Sequence, residues 1–402
     1  MSIDWSGQFA SRMDSITASE IRELLKLLDQ PDIISFAGGI PDPDLFPSEA
    51  IAAAYERALK SNALARSVLQ YAPTEGFPPL RQWIGDRIGA GADDVLITSG
   101  SQQALDLIGK LLIGTGETVA VTMPTYLGAL QAFSAYEPRY VGVAMDEDGV
   151  VPESLEAALA QKPKLFYLVP DFLNPTGVSL TLERRRKVIA LCRAAGVPIV
   201  EDAAYVELRY DGERLPTLLA LDREIGGGTV LHAGTFSKTL APALRIGWVS
   251  GPAAALQKLI LLKQATDLHA STINQVVAHN VASEIYDKQI GRILPAYRTR
   301  RDAMLKAIET HFPKGCRWTR PGGGMFVWAE LPAQIDGAKL LARAIREARV
   351  AFVPGAAFFP DRSGRNTIRL SFSTSKPERI EIGIKRLADT IDRELAGAAA
   401  AA

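Results

Sequence analysis

A lysine set among hydroxyls, just past an apolar run, is the part of this sequence best suited to covalent chemistry. Thr229-Val230-Leu231-His232-Ala233-Gly234 reads as a buried strand, and Thr235-Phe236-Ser237-Lys238 follows it directly. An amine at the mouth of a sheet is partly desolvated, which lowers its pKa and frees it to form a Schiff base with a carbonyl. Thr235, Ser237 and Arg245, the last of these seven positions beyond the lysine, are groups suited to holding a phosphate. Lysine, hydroxyls and arginine together suggest an anchor for pyridoxal phosphate. A lone lysine is most often a solvated side chain, so the reading depends on what the rest of the chain places beside it.

The elements that must position such a site can be read in order. Val95-Leu96-Ile97-Thr98-Ser99 is a strand running into Gly100-Ser101-Gln102-Gln103 and a helix. A helix N-terminus offers free N–H groups to an anion, with Ser101 and Gln102 as side-chain donors. Val119–Thr122 is a strand that leads to Tyr126, and Leu165–Val169 leads to Asn174-Pro175-Thr176-Gly177. Val197–Val200 leads to Asp202 and Tyr205. Strands alternating with helices over residues 95–250 predict a mostly parallel sheet. In such sheets ligands bind outside the carboxyl ends of the strands, where Ser101, Tyr126, Asn174, Asp202, Tyr205 and Lys238 all fall. Beyond residue 253 the alternation stops. Helices are predicted over 253–264 and 272–293, and a further long one from about 293 to 311 bridges to a second unit. That unit has strands near Gly324–Trp328 and Thr367–Phe372 and reads as a smaller α+β domain. The expected division is 1–30 (arm and helix, grouped with the small domain), 31–292 (large domain) and 293–402 (small domain).

Composition narrows the function classes. The 45 basic and 45 acidic residues cancel, so nothing in the charge balance draws nucleic acid or an anionic membrane. Cys192 and Cys316 are the only cysteines, which leaves no disulfide framework and fits a reducing, cytoplasmic setting. His232, His269, His279 and His311 lack metal-ligand spacing, so no metal is expected. No apolar run reaches membrane-spanning length, and Met1–Met13 lacks the apolar core of a signal peptide.

In order and spacing, Gly100-Ser101-Gln102-Gln103, Asn174-Pro175-Thr176-Gly177, Asp202-Ala203-Ala204-Tyr205, Ser237-Lys238 and Arg245 resemble the fold-type I pyridoxal phosphate aminotransferases of class I/II. Ala18-Ser19-Glu20-Ile21-Arg22-Glu23-Leu24-Leu25-Lys26, Phe36-Ala37-Gly38-Gly39-Ile40-Pro41 and Thr367-Ile368-Arg369-Leu370-Ser371-Phe372 look like the subgroup of 2-aminoadipate and kynurenine aminotransferases. The resemblance implies an α/β, aspartate-aminotransferase-like fold: a mostly parallel seven-stranded sheet between helices, plus the small domain. It implies Lys238 as cofactor anchor and proton shuttle, and Asp202 as partner of the pyridine nitrogen. Asn174 and Tyr205 would bond the phenolic oxygen, and Tyr126 would lie on the ring face. Ser101, Gln102, Ser237 and Arg245, with Thr235, would hold the phosphate. Tyr71 would reach the phosphate and substrate of a neighbouring subunit in a homodimer. Arg369 would take the substrate α-carboxylate with Asn174, beneath the Gly39 loop. Arg22 would edge the side-chain pocket and pair with acidic side chains. Leu173 stands where many relatives carry a Gln, so the pocket is less polar there.

The implied reaction moves an amino group between an amino acid and a 2-oxo acid such as 2-oxoglutarate, in a ping-pong cycle. Two alternatives use the same fold. A lyase or decarboxylase would need the same anchor. A transcription regulator would need a DNA-binding module ahead of the fold, and the roughly thirty residues before Ile33 show no basic recognition helix.

Overall fold

The structure, a computed structural model, describes residues 3–14, 16, 32–60 and 62–401. The helix expected over Ala18–Leu28, which carries Arg22, lies outside the described residues. The strands in chain order are β1 (Ile34–Ser35), β2 (Val95–Thr98), β3 (Thr118–Met123), β4 (Arg139–Asp146), β5 (Gly149–Val150), β6 (Phe166–Leu168) and β7 (Ile199–Asp202). They continue with β8 (Val230–Thr235), β9 (Gly247–Ser250), β10 (Arg317–Trp318), β11 (Phe326–Glu330), β12 (Val350–Ala351), β13 (Val353–Pro354) and β14 (Thr367–Ser371).

The large sheet has the order β2-β9-β8-β7-β6-β3-β4-β5. Its centre is parallel, from β4 through β3, β6 and β7 to β8. Strand β9 runs antiparallel between β8 and β2. The expected seven strands gain an eighth, because the chain folds back from β4 and lays the two residues of β5 against it. Asp146 accepts from the Asp148 N–H at 2.9 Å and closes that turn. Strands β6 to β9 are buried throughout, which is why they read as unbroken apolar runs rather than alternating ones.

Flanking helices bury matching faces. Ser101–Leu112 buries Ala104, Leu105, Leu107 and Ile108. Leu182–Ala195 starts at the Thr181 side-chain cap and stops at Gly196 in the left-handed region, φ 69°. The two helices expected over 272–311 are one continuous helix, Thr272–His311, so the expected boundary at residue 293 falls inside it. The final helix is Pro377–Ala401, and its last turns are alanine-rich, the best helix-forming composition.

A second, four-stranded antiparallel sheet has the order β10-β11-β14-β13. One apolar cluster joins the two sheets, with Tyr167, Val200 and Ala233 from the large one and Phe326 and Leu370 from the small one. Strand β1 pairs with β12, and the Ser371 N–H donates to the Phe36 carbonyl, so the segment leading to Gly38-Gly39 is pinned to the small sheet. Among the described residues no helix is long and apolar enough to cross a membrane.

Strand β9 starts hard against the turn after β2. A Cβ at Gly247 would meet the Gly100 carbonyl carbon at 2.6 Å and the Ser101 nitrogen at 2.7 Å. Both are backbone atoms and cannot swing aside. Gly247→Ala is therefore expected to destabilise the fold by about 1–3 kcal/mol. A urea melt checks this, and an unchanged midpoint would count against so close an approach.

Candidate active site

Three adjacent parallel strands end on one edge of the sheet and deliver their next residues to one cleft. Strand β8 runs into a turn in which the Thr239 and Leu240 N–H groups donate to the Phe236 carbonyl at 3.2 and 2.9 Å. Phe236 is fully buried against Trp83, Trp248 and Tyr286, at ring distances of 5.7, 5.2 and 5.9 Å, which anchors the turn carrying Lys238. Lys238 Nζ donates to the Gly39 carbonyl at 3.1 Å and lies 5.9 Å from the centre of the Tyr205 ring. The residue is half-buried because it opens on the cleft, but surrounding protein desolvates its amine. That burial, helped by Arg369 and Arg245 and opposed by Asp202, brings its pKa down to about 8.

Asp202 ends β7 beside Ala233 of β8. It is buried, and Tyr167 on β6 donates its hydroxyl to Asp202 Oδ2 at 2.9 Å. Oδ1 has no partner among the described residues. Burial pushes the Asp202 pKa up to about 6, against the bonds from Tyr167 and the Ala204 N–H and the charges of His232 and Lys238. Asn174 follows β6. Its amide donates to the Tyr205 hydroxyl at 3.3 Å, and its Oδ1 accepts from Arg369 Nη1 at 2.8 Å. Arg369 Nη2 donates to the Ala37 carbonyl at 2.6 Å, and its guanidinium lies 4.4 Å from the Phe326 ring and 5.1 Å from Phe358. Burial lowers the Arg369 pKa to about 10, despite the neighbouring Tyr205 and Tyr126. Gly39 lies close by, since a Cβ there would meet Phe326 at 3.1 Å and Arg369 Nη1 at 3.8 Å.

The other side of the cleft is a polar cradle. Gly100 has φ 87°, and a Cβ there would fall 2.5 Å from Arg245 Nη2, so only glycine lets the guanidinium lie on this turn. Arg245 is exposed and donates to the Ser99 carbonyl at 2.8 Å, next to the helix N-terminus at Ser101. Ser237 is half-buried at the same edge. Thr235 is turned inward: its hydroxyl accepts from the Ser237 N–H at 3.1 Å and lies 3.1 Å from the Ile246 carbonyl. The Gln102 amide donates to the Gly128 carbonyl at 2.7 Å, which ties the helix to the segment holding Tyr126. The Tyr126 ring packs on Gly128, close enough to Tyr167 and Tyr205 to disfavour their ionisation. Tyr71 stands apart. It is 78% exposed and meets His269 edge-on at 5.8 Å.

Three cations, Lys238, Arg245 and Arg369, thus face one carboxylate, Asp202, and the cleft suits a ligand carrying a phosphate and a carboxylate. The comparisons agree with this geometry. The profile of the family "Aminotransferase class I and II" matches residues 31–387. The chain belongs to the class I and II aminotransferases. This aminotransferase is 44% identical to aromatic-amino-acid aminotransferase 1 of Thermococcus litoralis, over 98% of this chain and 96% of that one. It is 44% identical to a 2-aminoadipate transaminase of Thermus thermophilus, over 96% of each chain. A solved α-aminoadipate aminotransferase of Thermus thermophilus, in complex with N-(5'-phosphopyridoxyl)-L-leucine, superposes with TM-score 0.92 at 42% identity, over 98% of this chain and 100% of that one.

The cofactor is pyridoxal 5'-phosphate, and the residues present fit it. Asp202 Oδ1 is a buried acceptor lacking a donor, which a protonated pyridine nitrogen supplies. The Gly100 turn, Arg245 and Ser237 form a concave cationic rim of the right chemistry for a phosphate.

Sequence reasoning missed Tyr167 and both phenylalanines under Arg369. Phe326 falls in the run Gly324–Trp328, expected only as a strand; it is fully buried, yet its face also supports the guanidinium. Tyr167 sits inside an apolar run. The signal that could have found it is the two-residue period of strands, but that signal needs the Tyr167–Val200 register.

The depressed amine of Lys238 has a kinetic signature. Its neutral form is the nucleophile, so capture of pyridoxal phosphate by the apoprotein should speed up as pH rises through about 8. The check is rapid mixing across pH, followed by borohydride fixation and peptide mapping to Lys238. An inflection at the ordinary lysine value of 10.5 would show that burial is not felt.

Proposed function

We propose that this aminotransferase moves the amino group of an amino acid of 2-aminoadipate, aromatic or branched-chain type to a 2-oxo acid such as 2-oxoglutarate, in a ping-pong cycle. The observation that carries this reading is Arg369, a buried guanidinium held by Asn174 and the Ala37 carbonyl in the same cleft as Lys238. The relatives named for 2-aminoadipate and for aromatic amino acids support the substrate classes. When bound, pyridoxal phosphate supplies an electron sink that makes the substrate Cα–H acidic.

The chain's own residues do the rest in this reading. Lys238 Nζ, neutral above about pH 8, removes the Cα proton and holds it. Asp202 Oδ1 would accept from the pyridine N–H and keep that proton in place, while Tyr167 holds the other oxygen. Asn174 and Tyr205 would donate to the phenolic oxygen, and Tyr126 would support the ring. Ser101, Ser237 and Arg245, with Gln102, would hold the phosphate. Thr235 acts through the Ser237 turn. Arg369 takes the α-carboxylate with Asn174, and the Gly39 loop excludes water above it. Tyr71, exposed on a single chain, reaches the site of a second copy in a homodimer. The small domain, which begins within the helix Thr272–His311, brings Arg369 to the cleft of the large one.

Two variants test the ring partner. Asp202→Asn is expected to slow turnover about 10²-fold or more. Tyr167→Phe keeps the carboxylate but leaves one buried oxygen short of a donor, and a fall of roughly tenfold is expected. It should also shift the pH dependence of the bound cofactor's absorbance. Wild-type rates in the first variant would remove Asp202 from this role.

Substrate range is tested by a panel of amino acids against 2-oxoglutarate, with parallel-line initial-rate plots for the ping-pong cycle. In this reading Arg22 pairs with acidic side chains at the pocket edge. Arg22→Ala should raise KM for glutamate or 2-aminoadipate by roughly tenfold and leave KM for leucine nearly unchanged. Equal effects on both substrates would exclude that role.

A further inference from the structure

The helix Ala253–Asp267 buries a lysine where its spacing calls for an apolar residue. Leu256, Leu259 and Lys263 share one face, and Lys263 has no access to solvent. A buried ammonium is costly unless it is paired. Its partner is Asp267, one turn on, whose Oδ1 accepts from Lys263 Nζ at 2.5 Å. Burial lowers the Lys263 pKa against the pull of Asp267. Burial opposes the charge of Asp267 as well, but the bonds from Lys263, Gln103 and Ser99 outweigh it and hold that carboxyl below its ordinary range.

The second oxygen of Asp267 reaches the turn after β2. Oδ2 accepts from Gln103 Nε2 at 2.7 Å and from the Ser99 hydroxyl at 3.2 Å. Gln103 Oε1 accepts from the Ser99 N–H at 2.7 Å, and the Ser99 carbonyl accepts from Arg245 Nη2 at 2.8 Å. Every polar group of Ser99 is thus held. Gly100 caps the helix Ser101–Leu112 and has no side chain to brace the turn. Gln103, the third residue of that helix, does so instead by reaching back, much as the last residue of a capping box does. Asp267 in turn fixes Gln103. The first turn of the helix holds no acid, which leaves its dipole and free N–H groups for an anion. A carboxylate bonded to the same turn opposes that anion unless its charge is cancelled. Lys263 cancels it from Oδ1 and so does not compete with Ser99 and Gln103 for Oδ2.

We propose that Lys263 is a positioning residue for the cofactor phosphate: it neutralises Asp267, so that a carboxylate can brace the Ser99-Gly100-Ser101 turn without repelling the dianion that the turn receives. The proposal rests on the reading that this turn and Arg245 hold the phosphate. Lys263 touches neither cofactor nor substrate in it and acts only through Asp267. Its effect is therefore felt by the phosphate and not by the pyridine ring, which a pair serving only to stabilise the fold would not distinguish.

The test uses the full chain, freed of its cofactor and titrated with pyridoxal phosphate and with pyridoxal, which lacks the phosphate. The readout is the preference for the phosphorylated ligand, taken as the ratio of the two Kd values. Lys263→Gln keeps a donor for Asp267 but removes the charge. It should lower that preference roughly tenfold or more, with pyridoxal affinity nearly unchanged. Asp267→Asn creates no negative charge and should keep the preference within about threefold of the wild type, as should Lys263→Gln combined with Asp267→Asn. Lys263→Met repeats the charge removal with an apolar side chain and carries the comparison if the Gln variant does not fold, as judged by circular dichroism. Equal losses for both ligands in the Lys263 variants would mark a merely structural pair and overturn the proposal. So would a preference that the double variant fails to restore, or one that Asp267→Asn lowers as much. Arg245→Gln tests the underlying reading by itself. An unchanged preference there retires the phosphate reading and this proposal with it, whereas a loss there with none in the Lys263 variants overturns the proposal alone.

Discussion

A guanidinium with almost no access to solvent, Arg369, connects the parts of this molecule that matter most. It sits on a strand of the small sheet, its hydrogen bonds go to Asn174 in the loop after β6 of the large sheet and to Ala37 of the N-terminal segment, and Phe326 and Phe358 support its face. An isolated charge so buried would cost several kcal/mol. Here two carbonyl-type acceptors and two aromatic faces offset part of that cost, but Nε remains without a partner among the described residues. The arrangement is incomplete, and in the role proposed for Arg369 an incoming carboxylate completes it. Moving either sheet by a fraction of a hydrogen-bond length would break one of these contacts, so the alignment of the two sheets and the setting of this guanidinium are one problem.

The electrostatics of the cleft follow from the same burial. Desolvation disfavours charge on Lys238, Asp202 and Arg369 alike, lowering the two bases to about 8 and about 10 and raising the acid to about 6. In water these groups would all be firmly ionised. In the cleft the lysine can be neutral near physiological pH, while the aspartate needs a cationic partner to stay ionised. A single physical cause thus shifts the cleft's amine and its carboxyl together. Arg245, by contrast, is exposed at the rim of the cleft.

The sheet also separates two environments one strand thick. Asp202 faces the cleft, while its neighbour Glu201 caps the helix Leu218–Glu224 and holds His232. His232 and the N–H caps outweigh the burial of Glu201 and keep its carboxyl below the ordinary range. Adjacent acids in sequence therefore have opposite shifts, because strand alternation gives them different neighbours.

Much of this was legible in the residues alone. The apolar runs, the Gly100-Ser101 turn and the polar residues after each run determined a parallel sheet with its chemistry at one edge, because strand propensity, turn residues and caps act over a few neighbouring positions. Gly100 and Lys238 could be singled out from types and spacing for that reason. Tertiary structure alone decided which of those groups touch. The Tyr167–Asp202 bond spans 35 positions and the Arg369–Asn174 bond 195, and neither leaves a local trace. The back-fold of β5, the unbroken helix Thr272–His311 and the inward hydroxyl of Thr235 likewise depend on neighbours distant in sequence or on exact turn geometry. Contact across a sheet is set by register and by the packing of whole faces, and those are properties of the assembled chain rather than of any stretch of it.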